Sequence, residues 1–211
     1  MKKKPSWSAA ERHVCRDPVL KRIRAQAGPC TLKPRRDHFV LLCRAIYSQQ
    51  ISAQVARVLF LRFCACFPRQ RPTPRRVLEL LSGPEIPQAC GLSRQKKKYL
   101  IDLANHFLDG RVPRNLHRRS DEEVIEALTA VNGIGRWTAE MFLIFVLNRP
   151  DVWPVGDFGL RNAVKQAYGM RNTPTARQMI KVAEAWRPHR TIASWYLWRA
   201  VDKKPTTAPV K

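Results

Sequence analysis

This sequence has few acidic residues, no long apolar runs and no cysteines or histidines in the spacing of a metal site. No apolar run reaches the roughly 20 residues that a membrane-spanning helix needs. Met1 is followed by lysines and Pro5 rather than by the apolar core of a secretory signal. The sequence therefore predicts a soluble intracellular protein with no membrane partner, located in the cytoplasm, or in the nucleus if the source is a eukaryote.

Cysteine and histidine are present but lack the spacing of a metal site. The six cysteines form no CxxC pair and stop at Cys90, and the five histidines have no metal-ligand spacing. We therefore predict free, buried thiols and no metal held by side chains.

The shortage of acidic residues gives the chain a strongly basic balance. It has 39 lysines and arginines against 16 aspartates and glutamates, a formal net charge of +23. Such a chain attracts polyanions non-specifically, although a charged, solvated surface explains the same numbers. Charge alone leaves both interpretations open.

Strand-like alternation is also missing, and helical periodicity runs through most of the chain, so we predict an all-α fold. Ser120 with Glu123 predicts a capping box, as does Ser8 with Glu11. The first helix is predicted to run on through Asp17 to a stop at residues 28–29. Residues 52–67 are apolar on a wide face and are predicted to form the most buried helix of their lobe. A further helix is expected over 136–147.

Two glycines divide the most informative segment, LTAVNGIGRWTA at 128–139, between stretches that otherwise predict helix. Glycine permits positive φ and close approach of the backbone to another molecule, so such a turn can aim amide N–H groups at a phosphate. An ordinary tight turn that contacts nothing is the alternative. The pattern predicts a helix-hairpin-helix whose DNA-binding residues are Gly133, Ile134, Gly135, Arg136 and Thr138.

A single carboxylate follows the hairpin, in the segment VGDFGLR at 155–161. Asp157 is predicted to start a helix, where the macrodipole and amide donors favour its ionised form. A fixed negative charge can stabilise a developing sugar cation or orient water. A plain N-cap is the alternative role.

With this hairpin followed by Asp157, the chain resembles the HhH-GPD superfamily of helix-hairpin-helix DNA glycosylases. Bifunctional members carry a lysine nucleophile where this chain has Trp137, so the chain is most similar to the monofunctional 3-methyladenine (alkyladenine, type II) branch. The resemblance implies two helical lobes with a cleft between them. It assigns 39–149 to the middle lobe, with the hairpin at about 121–147, and 1–38 plus 150–202 to the second lobe. Residues 203–211 have two prolines and little apolar content, and are predicted to form a disordered basic tail.

The resemblance also implies roles for individual residues. Asp157 is the catalytic carboxylate, and Trp137, Met141 and Trp198 line the base pocket. Met141 is a departure, since the branch often has an aromatic residue there, and it leaves the preferred lesion open. Gln50, or second Gln49, is the wedge that fills the gap left by an extruded base.

Cofactors, partners and reaction follow from the same resemblance. Members with an iron–sulfur cluster hold it on cysteines near the C-terminus, where this sequence has none. The resemblance also implies a monovalent cation, Na⁺ or K⁺, on the hairpin carbonyls of this chain near Val131 and Gly133. The expected activity, without a redox cofactor, is excision of flipped-out alkylated purines, 3-methyladenine and 7-methylguanine among them, from double-stranded DNA by a monomer. Two alternatives remain: a glycosylase for another lesion, and a non-catalytic DNA-binding protein.

Overall fold

The computed structural model describes residues 7–83 and 90–202. These residues contain no β-strand, which confirms the predicted all-α fold. Their α-helices are α1 (Ser8–Val14), α2 (Pro18–Ala27), α3 (His38–Tyr47), α4 (Ala53–Ala65), α5 (Pro74–Ser82), α6 (Arg94–Leu108), α7 (Asp121–Thr129), α8 (Arg136–Phe142), α9 (Phe158–Ala167), α10 (Ala176–Ala183) and α11 (Arg190–Asp202). None of these described helices is long and apolar enough to cross a membrane. The tail predicted to be disordered, 203–211, lies outside the described residues.

The contacts divide the chain into two compact units. The terminal unit comprises the described residues up to Lys33 together with those from Asn148 onward, and holds α1, α2 and α9 to α11. The middle unit is Pro34–Leu147 and holds α3 to α8. In the terminal unit α11 packs against α1, α2 and α9, so this one helix joins the two ends of the chain.

Local capping explains where several helices begin. Ser120 and Thr175 form complete capping boxes with Glu123 and Gln178, which confirms the prediction at Ser120. The predicted box at Ser8 is wrong, because Trp7 precedes α1 and no side chain caps it. The glutamate that would have completed that box is buried in the terminal unit instead.

The predicted continuous first helix is also wrong, because a new helix begins at Pro18. The Asp17 carboxylate accepts hydrogen bonds from the amides of Val19 at 2.8 Å and Leu20 at 3.3 Å, and proline is suited to the first helical position. The second carboxylate oxygen of Asp17 accepts hydrogen bonds from the Tyr168 hydroxyl at 2.6 Å and from the Trp186 indole at 3.2 Å. Asp17 therefore both starts α2 and fixes it to the C-terminal part of the unit.

Glu11 is a buried charged residue, with 4% of its surface exposed. Its carboxylate accepts hydrogen bonds from the Tyr196 hydroxyl at 2.5 Å and the Cys30 amide at 2.6 Å, and it pairs with Arg24 at 3.3 Å. Burial alone would raise the pKa of Glu11, but these hydrogen bonds and the arginine charge outweigh burial and leave the pKa lowered. The ionised carboxylate is therefore the form that stabilises the terminal unit.

We expect Glu11→Gln to lower the free energy of unfolding by about 2 kcal/mol at pH 7, the scale of hydrogen bonds to a charged group. Because the pKa is lowered in the folded state, this contribution is present above the ordinary value of 4.5 and is lost as pH falls through the folded pKa. Urea unfolding from pH 7 down to pH 3 measures both effects. Glu184→Gln, an exposed glutamate of the same unit, is the control, and an equal loss in both variants would contradict the role of Glu11.

The core of the middle unit is rich in aromatic rings. Tyr47 of α3 packs against Phe60 and Phe63 of α4, with ring centroids 5.6 and 5.1 Å apart. The prediction that residues 52–67 form the most buried helix of their lobe is wrong, because Val55, Val58 and Leu61 of α4 are all exposed. Periodicity identified an apolar stripe wider than the one face that neighbouring helices cover.

The helix after the hairpin departs from a regular α-helix. It is α-helical only as far as Phe142 and continues as a π-helical turn at Leu143–Leu147. A π turn inserts one residue and changes the direction in which the following side chains point, and such turns are frequent near functional sites. Within the middle unit this turn contributes Phe145 and Val146 to the lining of a cavity.

Candidate functional site

The hairpin connects α7 to α8, and its first glycine is required by two constraints. Gly133 has φ +84°, a conformation that side chains rarely adopt, and a Cβ added there would overlap the ring of Tyr99 on α6. At Gly135, in contrast, an added Cβ would meet nothing within 4 Å. The Asp102 carboxylate holds the turn in place. It accepts hydrogen bonds from the backbone amide of Asn132 at 2.7 Å and from the side-chain amide of Asn132 at 2.9 Å.

The other predicted hairpin residues have different environments. Ile134 is 3% exposed, so its side chain belongs to the core. The Arg136 guanidinium pairs with Glu122 at 3.0 Å and with Glu140 at 3.3 Å. The hydrogen bond and charge of Glu122, with the charge of Glu140, raise the pKa of Arg136. These carboxylates neutralise part of the positive charge that the sequence placed at the start of α8.

The two wedge candidates lie in the turn between α3 and α4 and differ in their environment. The side-chain amide of Gln49 donates to the Gly133 carbonyl oxygen at 2.7 Å, across 84 positions of sequence. Gln50 is exposed at the tip of the turn, with φ 58°. The geometry therefore favours Gln50 as the side chain available to a partner, while Gln49 joins the turn to the hairpin.

The same hydrogen bond bears on the cation expected at the hairpin. The Gly133 oxygen faces the positive hydrogens of the Gln49 amide, and the Val131 oxygen accepts from the Ile134 amide at 3.0 Å. Each carbonyl oxygen keeps a second lone pair. Both hydrogen bonds are therefore compatible with the expected cation, which stays a prediction.

Two predicted pocket residues share one cavity in the middle unit. Trp137 and Met141 line a cavity of about 470 Å³, and Thr138 lies on its wall with Gln49. Trp137 is 53% exposed despite its size. The remaining lining residues were not identified from the sequence: Arg35, Leu41, Leu42, Arg44, Ala45, Ser48, Phe142, Phe145 and Val146. Leu41, Leu42 and Ala45 are apolar residues of α3, but only packing shows that they border a cavity.

The terminal unit brings together the other two predicted residues, Asp157 and Trp198. Asp157 caps α9, and its Oδ1 accepts hydrogen bonds from the Leu160 amide at 2.5 Å and from the Trp198 indole Nε1 at 3.0 Å. The carboxylate is 8% exposed. Both partners donate to this oxygen, and neither can accept a hydrogen bond from it. The arrangement fixes a carboxylate beside an indole at the positive end of a helix.

The residues next to Asp157 complete this arrangement. An added Cβ at Gly159 would lie 3.3 Å from Asp157 Oδ1 and 3.8 Å from the Trp198 ring, so glycine leaves room for both side chains. Phe158 is 78% exposed, which is unusual for so large an apolar side chain. Phe158 was not among the predicted site residues, although it lies off the buried stripe of α9 formed by Leu160, Ala163 and Val164.

Comparisons with known proteins identify the family of this chain. The model of the HhH-GPD superfamily of base excision DNA repair proteins matches residues 43–188. A Schizosaccharomyces pombe protein described as alkylbase DNA glycosidase-like protein mag2 is 32% identical, over 94% of this chain and 96% of that protein. DNA-3-methyladenine glycosylase 1 of the same yeast is 38% identical, over 84% of this chain and 78% of that protein.

A solved structure matches over most of the chain as well. The S. pombe 3-methyladenine DNA glycosylase Mag1, in complex with abasic DNA, has a TM-score of 0.79 and 35% identity, and the match covers 95% of this chain and all of that one. The family prediction made from the hairpin and Asp157 is thus confirmed. This chain belongs to the HhH-GPD superfamily of base excision DNA repair proteins.

Proposed function

We propose that this protein is a monofunctional DNA glycosylase that flips alkylated purines out of double-stranded DNA and hydrolyses their N-glycosidic bonds. The observation that carries the proposal is the buried Asp157 carboxylate, which the Leu160 amide and the Trp198 indole hold at the start of α9. Membership of a base excision repair family and the glycosylase names of its relatives support the reaction class. The protein would act on genomic DNA, in the nucleoid or the nucleus, as a monomer.

Asp157 supplies the negative charge that this reaction needs. As the bond between C1′ and the base nitrogen lengthens, the deoxyribose gains oxocarbenium character, and a fixed carboxylate stabilises that positive charge. The two donors to Oδ1 hold the carboxylate in place, so little reorganisation is needed when the charge develops. The same carboxylate can orient the water that completes hydrolysis.

The residues of the middle-unit cavity favour hydrolysis over a covalent intermediate. Among the described residues, its lining contains Arg35 and Arg44 but no lysine. The resemblance to the family assigns Trp137 to the position that the lysine nucleophile has in bifunctional members. A guanidinium stays protonated in proteins and is a poor nucleophile. Water is therefore the attacking group in the proposed reaction, and the product is an abasic site without strand cleavage.

An aromatic cavity suits alkylated purines in particular. Alkylation at a ring nitrogen places positive charge on the purine of the nucleoside, and the π faces of Trp137 and Phe145 attract such a cation. A cationic base is also a good leaving group, so the proposed reaction needs neither a general acid nor a redox cofactor. The cavity volume of about 470 Å³ lies within the usual range for small-molecule pockets, about 300–1,000 Å³.

Base release from defined DNA tests the proposal. We expect incubation with methylated genomic DNA to release 3-methyladenine and 7-methylguanine, identified by mass spectrometry, with an equal number of abasic sites and no strand nicks. Matched duplexes containing oxidised or mismatched purines measure selectivity. Release only from those duplexes would favour a glycosylase for another lesion, and borohydride trapping of a protein–DNA adduct would contradict the monofunctional mechanism.

A further inference from the structure

Two thiols of the middle unit lie next to each other, although they are 24 positions apart in the sequence. Cys66 Sγ and Cys90 Sγ are 3.3 Å apart. Cys66 immediately follows α4, and Cys90 precedes α6. Neither residue lines the cavity of Trp137 and Met141. A disulfide bond is about 2.05 Å long, so the sulfurs need approach by only roughly 1.3 Å to be joined.

We propose that Cys66 and Cys90 form a site of oxidative modification, where a peroxide joins the two thiols in an intramolecular disulfide. The Cys66 sulfur attacks hydrogen peroxide, the O–O bond breaks, and a sulfenic acid and one water are formed. The Cys90 sulfur then attacks the Cys66 sulfur, the S–O bond breaks, and the departing hydroxide takes the Cys90 proton as a second water. The two sulfurs are oxidised, and the peroxide is reduced.

The surroundings of the two thiols assign their roles. Cys66 is half-buried, whereas Cys90 is fully buried, so Cys66 is the sulfur that a peroxide reaches. Burial and the Cys66 thiol raise the pKa of Cys90 to about 12, so Cys90 stays protonated and is not the sulfur that reacts first with the peroxide. The neighbouring thiols of Cys43 and Cys64 are buried, and burial raises the pKa of each. These two thiols should remain unreacted.

The new bond would restrain the base of the turn that carries Gln49 and Gln50. The Tyr47 hydroxyl donates to the Cys90 carbonyl oxygen at 3.4 Å, and the Lys96 ammonium donates to the Tyr47 carbonyl oxygen at 2.8 Å. Tyr47 is the last residue of α3, directly before that turn. A Cys66–Cys90 disulfide therefore joins the end of α4 to a segment already hydrogen-bonded to the end of α3.

Thiol titration and mass mapping of the full chain test this proposal. After treatment with hydrogen peroxide and removal of the excess, we expect two of the six thiols to be lost and the mass to fall by two hydrogen atoms. A non-reducing digest should yield one linked peptide pair containing Cys66 and Cys90, and dithiothreitol should restore all six thiols.

Three variants sharpen the result. Cys66→Ser and Cys90→Ser should each abolish the linked peptide, whereas Cys64→Ser, which removes a buried thiol of the same unit, should leave it unchanged. The proposal is overturned if oxidised wild-type protein keeps six thiols, forms a different pair, or accumulates sulfinic acid at Cys66 while Cys90 stays reduced. The wild-type mapping decides the question even if a variant fails to fold. Because none of these readouts is glycosylase activity, the outcome is independent of the proposed function.

Discussion

Asp157→Asn should lower the rate of base excision from methylated DNA by at least about 100-fold, the scale on which electrostatic stabilisation of a transition state acts. The side-chain amide oxygen of asparagine can still accept from the Leu160 amide and the Trp198 indole, and asparagine is as good an N-cap as aspartate. The substitution therefore removes the negative charge with little change in structure. Single-turnover excision rates and DNA affinity, measured together, separate chemistry from binding.

Asp17→Asn is a closely matched control. Asp17 also caps a helix of the terminal unit, with backbone amides and the Trp186 indole as donors. It also accepts from the Tyr168 hydroxyl, so its substitution should cost at least as much stability as that of Asp157. If both variants lose excision in proportion to their loss of stability, the catalytic role assigned to Asp157 is wrong.

Trp198→Phe removes the indole N–H that donates to the Asp157 carboxylate and keeps an aromatic ring. We expect a smaller loss of excision rate than in Asp157→Asn, with DNA affinity unchanged, because Asp157 keeps its charge but loses part of its fixed orientation.

The wild-type protein tests the non-catalytic alternative. That alternative would be supported if the wild-type protein binds DNA but excises bases no faster than Asp157→Asn.

Gly133→Ala should lower the free energy of unfolding by about 3 kcal/mol. The left-handed backbone conformation costs a non-glycine residue about 1–2 kcal/mol, and the overlap with Tyr99 adds a packing penalty of about 1–3 kcal/mol. Gly135→Ala is the matched control within the same turn, since φ is −90° and the added methyl group meets nothing within 4 Å. Urea unfolding of both variants measures the difference.

A double-mutant cycle with Tyr99→Ala separates the two contributions at Gly133. Removing the ring should recover the packing penalty and leave the backbone strain, so the two substitutions should be non-additive. Additive stability effects would contradict the overlap with Tyr99.

DNA affinity at fixed salt concentration gives a second readout, for Gly135→Ala. A DNA strand that approaches the hairpin closely would be displaced by the added methyl group.

The sequence predicted those features of the fold that depend on neighbouring residues. The capping box of Ser120 and Glu123 uses hydrogen bonds between residues three positions apart, so it can be recognised without knowledge of the fold. The prediction failed at Glu11 because distant partners, Tyr196 and the Cys30 amide, hold its carboxylate inside the terminal unit. A local pattern does not reveal such long-range competitors.

The candidate site divides in the same way. The turn at Gly133 and the position of Asp157 at a helix start were predicted from spacing and residue type, because each reflects a local backbone requirement. The donor that Trp198 supplies to Asp157 and the pairing of Gln49 with Gly133 join residues 41 and 84 positions apart. The pairing of Cys66 with Cys90 depends in the same way on how α4 packs.

The sequence by itself determined an all-α chain of the HhH-GPD superfamily, with a glycine turn followed by one carboxylate at a helix start. Positive φ, capping and helical periodicity are short-range properties, and they leave a visible pattern in the order of residues. Only the tertiary structure decided that α4 keeps an exposed apolar face, that carboxylates neutralise Arg136, and which side chains hold Asp157 and the Gly133 carbonyl. Those outcomes depend on which helices pack together, because a side chain's hydrogen-bond partner is fixed by distance in space and not by distance along the chain.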